Sequence, residues 1–295
     1  MGTWKFAVIG GDLRQARLAQ CLLRDGHRVC LWGIDPQDLP DGITPCADLG
    51  HALEDTDCVI LPLPAATADG LISTPLSGSR LMPGELFARI PRGALCFGGR
   101  ISPSLWAAAR EAGIDLTDYF DREELTVLNA IPTAEGAIQI AMEKLPITLH
   151  GSRCLVIGHG RIGRVLSAML RGLGAQVTVS ARRWEDLAWI RAEGHTPART
   201  GELREILPRF DVVFNTVPAR LLEEPLLRKL RPDALCIDLA SAPGGIDQAA
   251  AARLGRHCLR ALSLPGKVAP YTSGEIVYHT VMNLLQEKRS FPHET

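Results

Sequence analysis

Apolar positions along the chain fall into short continuous runs separated by segments of helical period. Phe6–Ile9, Arg28–Trp32, Cys58–Leu61, Ala94–Phe97 and Asp115–Tyr119 read as strands. Leu13–Arg24, His51–Asp55, Gly84–Ile90 and Pro103–Ala112 read as the helices between them. Near-continuous apolar strands alternating with helices predict a parallel sheet covered on both faces. A second set follows, with strands at Cys154–Ile157, Gln176–Val179, Asp211–Phe214, Ala234–Leu239 and Cys258–Leu262. The expected fold is therefore α/β, with two Rossmann-like doubly wound parallel-sheet domains joined by long helices. The first domain is expected over 1–121 plus a C-terminal helix over 273–295, the linking helix over 122–144, and the second domain over 145–272. Pro132 is expected to kink the link or to begin a second helix. The tail from Arg289 to Thr295 is expected to fray.

One segment carries specific chemistry. Gly158-His159-Gly160-Arg161-Ile162-Gly163 follows the apolar run Cys154–Ile157 and precedes the amphipathic stretch containing Val165, Leu166, Met169 and Leu170. Strand, glycine turn and helix in that order form a dinucleotide-binding turn. Gly158 makes the tight turn, Gly160 lets a pyrophosphate approach the backbone, and Gly163 lets helix and strand pack closely. The N–H groups of Arg161, Ile162 and Gly163 open the helix toward the phosphates. The alternative is a glycine-rich turn in an α/β protein beside an empty crevice.

The next strand bears on which dinucleotide binds. An NAD site usually ends this strand with a carboxylate for the ribose 2′-OH. Here it ends Ser180-Ala181-Arg182-Arg183, and Ser180 lies 17 residues beyond Gly163 (180 − 163). A hydroxyl and guanidinium groups attract a 2′-phosphate that a carboxylate would repel. The second domain is thus read as NADP-binding, with NAD the less favoured cofactor. Ser180 and Arg182 are the residues expected to take the phosphate; Arg183, further from the strand tip, has a solvated residue at a helix start as its plainer reading.

Bulk properties remove several classes of function. A net charge of −1 argues against a nucleic-acid partner. No apolar stretch is long enough to span a membrane, and because Met1-Gly2-Thr3-Trp4-Lys5 runs into a strand no signal peptide is expected. The 8 cysteines never form CxxC and the histidines show no ligand spacing. A reduced, cytoplasmic protein with no disulfide framework and no metal is expected.

Other strand ends offer candidate contacts. Asn215, Thr216 and Val217 border the expected cofactor crevice, as do Ala240 and Ser241 after Asp238. The Asn and Thr have ordinary turn capping as their plainer reading. Asp238, at the tip of an apolar strand, is placed to orient a neighbouring loop or a cofactor group. Lys267 lies in Leu264–Ser273, which two prolines and a glycine mark as a shaped loop. In the first domain, Ile9-Gly10-Gly11-Asp12-Leu13-Arg14 is a second strand–glycine–helix turn, suited to an anion with Arg14 assisting. Arg100, in Gly98-Gly99-Arg100, is the favoured cation of that domain. The segment Thr67–Met82 is polar and reads as a loop or short hairpin.

Together these segments resemble the A subunits of dipicolinate synthase from spore-forming bacteria. The resemblance rests on Ile9–Arg14, Leu61–Pro64, Phe97–Ser102, Asp118–Glu124, Leu128–Ala137, Leu145–Gly151, Gly158–Gly163, Asp238–Gly245 and Leu264–Gly274. The run from Asn129 to Gly151 is the most specific. The architecture also looks like that of 2-hydroxyacid dehydrogenases, without their Arg/Glu/His set at matching places. The resemblance implies an NADP-dependent oxidoreductase subunit that converts dihydrodipicolinate to dipicolinate in the mother-cell cytoplasm during sporulation, together with a B subunit. A homo-oligomer is expected.

A planar dicarboxylate needs cationic or N–H anchors. Arg14, Arg100 and Lys267 are the candidates, with Thr67 and Thr133 as hydroxyl partners. Glu135 and His159 are candidates for the base, and the B subunit is an alternative source. Two other readings stay open: a stand-alone dehydrogenase of the 2-hydroxyacid or shikimate type, and a non-catalytic NADP-binding scaffold.

Overall fold

The computed structural model describes residues 2–39, 42, 43 and 45–290. The chain divides into two compact units, Met1–Leu128 with Ala269–Thr295, and Asn129–Val268. The first holds five strands: β1 (Lys5–Ile9), β2 (Arg28–Trp32), β3 (Cys58–Ile60), β4 (Leu95–Gly98) and β5 (Leu116–Asp118). They form one sheet in the order β2-β1-β3-β4-β5, every pair parallel. Side chains alternate across β1. Phe6 and Val8 face an apolar layer built by the helix Leu13–Arg24 and the terminal helix Pro270–Ser290. Ala7 and Ile9 face the other layer, built by helices Leu49–Leu53, Pro83–Phe87 and Pro103–Glu111. Period-2 alternation with both sides apolar is what a doubly covered strand requires.

The terminal helix is tied to this unit closely. A Cβ on Gly274 would lie 2.4 Å from the Arg14 carbonyl oxygen, so the two helix backbones touch there. Arg122 bridges to Glu287 at 2.7 Å, and Arg17 pairs with Glu275.

The second unit holds β6 (Arg153–Ile157), β7 (Gln176–Ala181), β8 (Thr196–Arg199), β9 (Val212–Asn215), β10 (Leu235–Asp238) and β11 (His257–Arg260). Their order is β11-β10-β9-β6-β7-β8, again all parallel. Val156 and Val179 pack under the helices Ala130–Lys144 and Arg161–Gly172. Leu155, Ile157 and Val213 pack on the opposite layer with Leu203, Leu227 and Ala250. Both units are thus parallel α/β sheets with helices on each face, as the hydrophobic pattern predicts.

The structure corrects the pattern in four places. The strand β8 is absent from the sequence reading, because an edge strand of Thr-Pro-Ala-Arg carries no apolar run. The link over 122–144 is two helices rather than one, Glu123–Leu128 and Ala130–Lys144, and Pro132 lies in the first turn of the second, which is one of the two placements expected for it. Leu264–Ser273 is not a loop: Leu264–Val268 is helical and the last helix begins at Pro270. Prolines near helix starts lose no needed N–H, which is why composition misleads here. The last helix runs to Ser290, and the rest of the expected tail lies outside the described residues.

Candidate functional site

The glycine turn stands at the carboxyl end of β6, where parallel sheets bind ligands. Gly158 sits at φ +101°, and a Cβ there would meet Thr216 Oγ1 at 2.5 Å. A Cβ on Gly163 would lie 2.1 Å from the Gly158 carbonyl oxygen. The protein's own packing therefore demands both glycines. It does not demand Gly160, whose φ is −85° and around which nothing lies within 4 Å of a Cβ. Gly160 thus leaves the start of the helix uncovered on that side among the described residues. Gly160 caps the helix Arg161–Gly172 without any side-chain acceptor, so its dipole opens toward that space. Arg161 is exposed at its first position, and half-buried Ile162 anchors the helix in the core.

His159 is turned out of this space. Its Nε2 lies 2.9 Å from Glu193 Oε2, and its side chain is 3 % exposed. Glu193 also takes Arg164 at 2.6 Å. Burial pushes its carboxyl up, but the hydrogen bonds from His159 and Arg164 outweigh that and hold it below the usual range. His159 pins the turn to the helix Trp184–Ala192, at whose C-cap Glu193 stands.

The tip of β7 separates the two residues expected to take a phosphate. Ser180 pairs with Ile157 and Ala198 inside the sheet and is fully buried. Its hydroxyl is shut off from solvent and has no partner among the described residues, so it is not a phosphate ligand. The strand runs further than read, to Ala181. Arg182 lies beyond it, exposed, with no carboxylate partner among the described residues. Arg183 is consumed by Glu185 at 2.6 Å and Asp186 at 2.8 Å.

Strand-end polar groups of β9 and β10 are likewise spent on architecture. Asn215, fully buried, donates to Asp238 Oδ1 at 2.7 Å and to the Val217 carbonyl at 3.0 Å. Asp238 also accepts from the N–H groups of Ala240 and Gly245, the latter at 2.9 Å. Asn215 is therefore not a ribose or nicotinamide contact. It is half of a buried tie that fixes the loops after β9 and β10. Thr216 donates to the Ile157 carbonyl at 2.9 Å and walls the glycine turn together with Val217. Ala240 is buried and Ser241 exposed after the tie. Sequence reasoning found Asp238 as a loop-orienting charge but not its partner, 23 residues away.

At the carboxyl edge of the first sheet the outcome is mixed. The Arg14 guanidinium donates to Asp12 at 2.8 and 2.9 Å and to the Leu63 carbonyl, with its side chain 11 % exposed. Asp12 itself caps the helix by accepting from the Arg14 N–H. A carboxylate thus already fills the anion position expected here, and Arg14 is not free for a substrate. Arg100 is different. Its backbone is left-handed, φ +53°, held there because Asp118 accepts the N–H groups of Arg100 and Ile101 at 2.9 and 2.7 Å. Its side chain is exposed and has no ion pair among the described residues. Strain of this kind costs about 1–2 kcal/mol and clusters at functional positions. Thr67 is spent in a local turn with Leu71.

Three candidates lie in the second unit. Thr133 donates to the Asn129 carbonyl at 2.7 Å within its helix. Lys267 is exposed in the helix Leu264–Val268, without an acidic partner among the described residues. Glu135 is exposed and lines a groove of about 630 Å³ with Ile138, Met142, Met169 and Leu173. That groove lies along the half of the helix Arg161–Gly172 away from the glycine turn, which removes Glu135 from the dinucleotide.

This geometry defines a nicotinamide-dinucleotide domain of the dehydrogenase kind. Residues 132–260 match the D-isomer specific 2-hydroxyacid dehydrogenase NAD binding domain, and residues 5–120 match the N-terminal domain of the dipicolinate synthase A subunit. The chain is 35 % identical over 285 residues to the dipicolinate synthase A subunit of Bacillus subtilis, covering 96 % of both chains. The crystal structure of that organism's dipicolinate synthase A chain superposes with a TM-score of 0.87 at 34 % identity, over 98 % of each chain. The corresponding Bacillus halodurans structure does so at 0.87 and 30 %, over 96 % of this chain and 99 % of that one. The chain belongs to the family of dipicolinate synthase A subunits. No helix among the described residues is long and apolar enough to cross a membrane.

Proposed function

We propose that this chain is the NADP-binding subunit of an oxidoreductase that converts dihydrodipicolinate to dipicolinate, acting with a B subunit in the mother-cell cytoplasm of a sporulating bacterium, and that it works as a homo-oligomer. The observation that carries the reading is the end-to-end match with the Bacillus subtilis protein, in a chain whose glycine turn is intact. NADP is favoured over NAD because the β7 tip carries Arg182, without an acidic partner among the described residues, where a ribose-binding carboxylate would otherwise stand.

The Gly158–Gly163 turn would hold the pyrophosphate, Thr216 and Val217 would wall the same crevice, and Arg182 would take the 2′-phosphate. When bound, the nicotinamide supplies a hydride acceptor. The substrate gives up a hydride from one ring carbon and a proton from its neighbour, and aromatisation favours the product. Arg100 and Lys267 are the proposed carboxylate anchors, each an exposed cation with no acidic partner among the described residues. Neither Glu135 nor His159 has the geometry of the base, so the proton acceptor is assigned to a group outside these two.

The test is reconstitution. The chain, its B subunit, dihydrodipicolinate and NADP should together produce dipicolinate absorbance, and omission of either protein should abolish it. Turnover by this chain alone on a 2-hydroxyacid would instead make it a stand-alone dehydrogenase. NADP binding without turnover in the reconstituted pair would make it a scaffold.

A further inference from the structure

The edge of the first sheet gathers three metal-ligating side chains that the sequence keeps apart. The Sγ atoms of Cys30 and Cys46 and a ring nitrogen of His51 lie within 4.8 Å of one another, the one such group of three among the described residues. We infer that Cys30, Cys46 and His51 form a binding site for a thiolate-preferring divalent cation, zinc above all. Tetrahedral zinc holds sulfur at about 2.3 Å and nitrogen at about 2.0 Å, which places donor atoms roughly 3.5–3.8 Å apart. The three donors, all within 4.8 Å of one another, exceed those separations by no more than about 1 Å.

Each backbone position is anchored. Cys30 is inside β2, paired with Ala7 of β1. Cys46 follows a parallel bridge between Leu31 and Pro45, and its N–H donates to the Leu31 carbonyl at 2.7 Å. His51 sits in the helix Leu49–Leu53, whose cap Asp48 accepts the His51 N–H at 2.8 Å. Leu49, Ala52 and Leu53 face the core, which leaves the imidazole outside beside the thiols. The Glu54 carboxylate stands 3.6 Å from His51 Nδ1, the kind of partner that orients a ligating imidazole and raises its basicity.

Both cysteines also touch an apolar cluster, and burial alone would explain two half-buried thiols. It does not explain an imidazole nitrogen within 4.8 Å of both. The absence of CxxC spacing is no objection, because a parallel bridge and a helix turn assemble the set. The His51 side chain is 63 % exposed, so solvent reaches the cluster and water would supply the fourth ligand. Bound metal would staple the segment at Pro45–Cys46 onto β2, the strand whose Trp32 carbonyl accepts the Gly10 N–H.

Cobalt(II) titration of the reduced full-length chain tests this without reference to catalysis. One equivalent should bind with thiolate-to-cobalt charge transfer and tetrahedral d–d bands, and one equivalent of zinc should bleach both. Cys30→Ser and Cys46→Ser should abolish the charge-transfer band, and His51→Ala should weaken binding at least tenfold, while Cys258→Ser retains it. Should a cysteine variant fail to fold, His51→Ala on the exposed face carries the comparison. NADPH titration should be unchanged in Cys46→Ser, which separates this inference from the proposed function. No thiolate band with cobalt, or a band that survives both Cys46→Ser and His51→Ala, overturns it.

Discussion

Arg182→Ala isolates the cofactor preference, because the neighbouring arginine is an internal control. Arg183 already satisfies Glu185 and Asp186, whereas Arg182 projects beyond β7 with no carboxylate to compete for it among the described residues. A hydrogen bond from a charged donor contributes about 1.5–3 kcal/mol. Arg182 is exposed and screened by salt, so the lower part of that range applies, about 1.5–2 kcal/mol, which is roughly 10- to 30-fold in affinity. Arg182→Ala should weaken NADPH by that factor in a fluorescence titration and leave NADH within about twofold. Arg183→Ala should leave both unchanged. Arg182→Asp should reverse the preference, since a carboxylate repels the 2′-phosphate and accepts from a ribose hydroxyl. The NADPH advantage should also shrink as ionic strength rises. Equal losses for NADPH and NADH in Arg182→Ala, or NADPH preference persisting in Arg182→Asp, refutes the placement of the phosphate.

Three further outcomes follow from the geometry. Gly160→Ala should fold with an unchanged Tm yet lose dinucleotide binding, whereas Gly163→Ala, with its Cβ 2.1 Å from the Gly158 carbonyl, should lose about 2–3 kcal/mol of stability in urea unfolding. Arg100→Gly relieves a left-handed residue worth about 1–2 kcal/mol and gives back about 0.4–1 kcal/mol in unfolded-state entropy, so Tm should hold or rise while the thermal shift produced by dipicolinate disappears. Burial raises the Asp211 carboxyl, but hydrogen bonds from Arg153 and the charge of Arg231 outweigh it and hold the group below its ordinary value. A depressed carboxylate stabilises the fold above its unfolded pKa of about 3.9 and loses that contribution as pH falls through the folded value. Asp211→Asn should therefore be less stable than the parent at pH 7, with the gap closing below about pH 4 in a denaturant series.

The glycine turn was legible because strand, turn and helix each left a local signal around Gly158–Gly163, and the parallel sheets were legible because buried strands such as β1 and β6 are apolar throughout. What escaped notice was set by non-local partners. The Asn215–Asp238 tie joins residues 23 apart, and nothing at Asn215 distinguishes a buried amide from a cofactor contact. Ser180 read as a strand tip because the residues after Val179 are mostly polar, yet it lies inside the sheet between β6 and β8 and is fully buried, and β8 itself was hidden by its edge position. Leu264–Val268 carries Pro and Gly and is helical all the same, as proline is tolerated near a helix start. Cys30, Cys46 and His51 show no spacing at all and meet through a parallel bridge.

The polar groups at the two carboxyl edges sort by whether their charge is already answered. Asp12 is matched by Arg14 and by a helix N–H, Asp118 by the backbone of Arg100 and Ile101, and Asp238 by Asn215 with two loop N–H groups. These carboxylates are satisfied locally and do not repel an incoming anion at full strength. Arg100, Arg182 and Lys267 have no such answer among the described residues. A chain of net charge −1 thereby presents cations at both edges, without basic composition anywhere in the sequence to announce it. One of these satisfied carboxylates, Asp118, also holds the backbone that carries Arg100. Removing Asp118 should therefore weaken anion binding through Arg100 even though the variant gains positive charge. That sign is opposite to what a purely electrostatic edge would give.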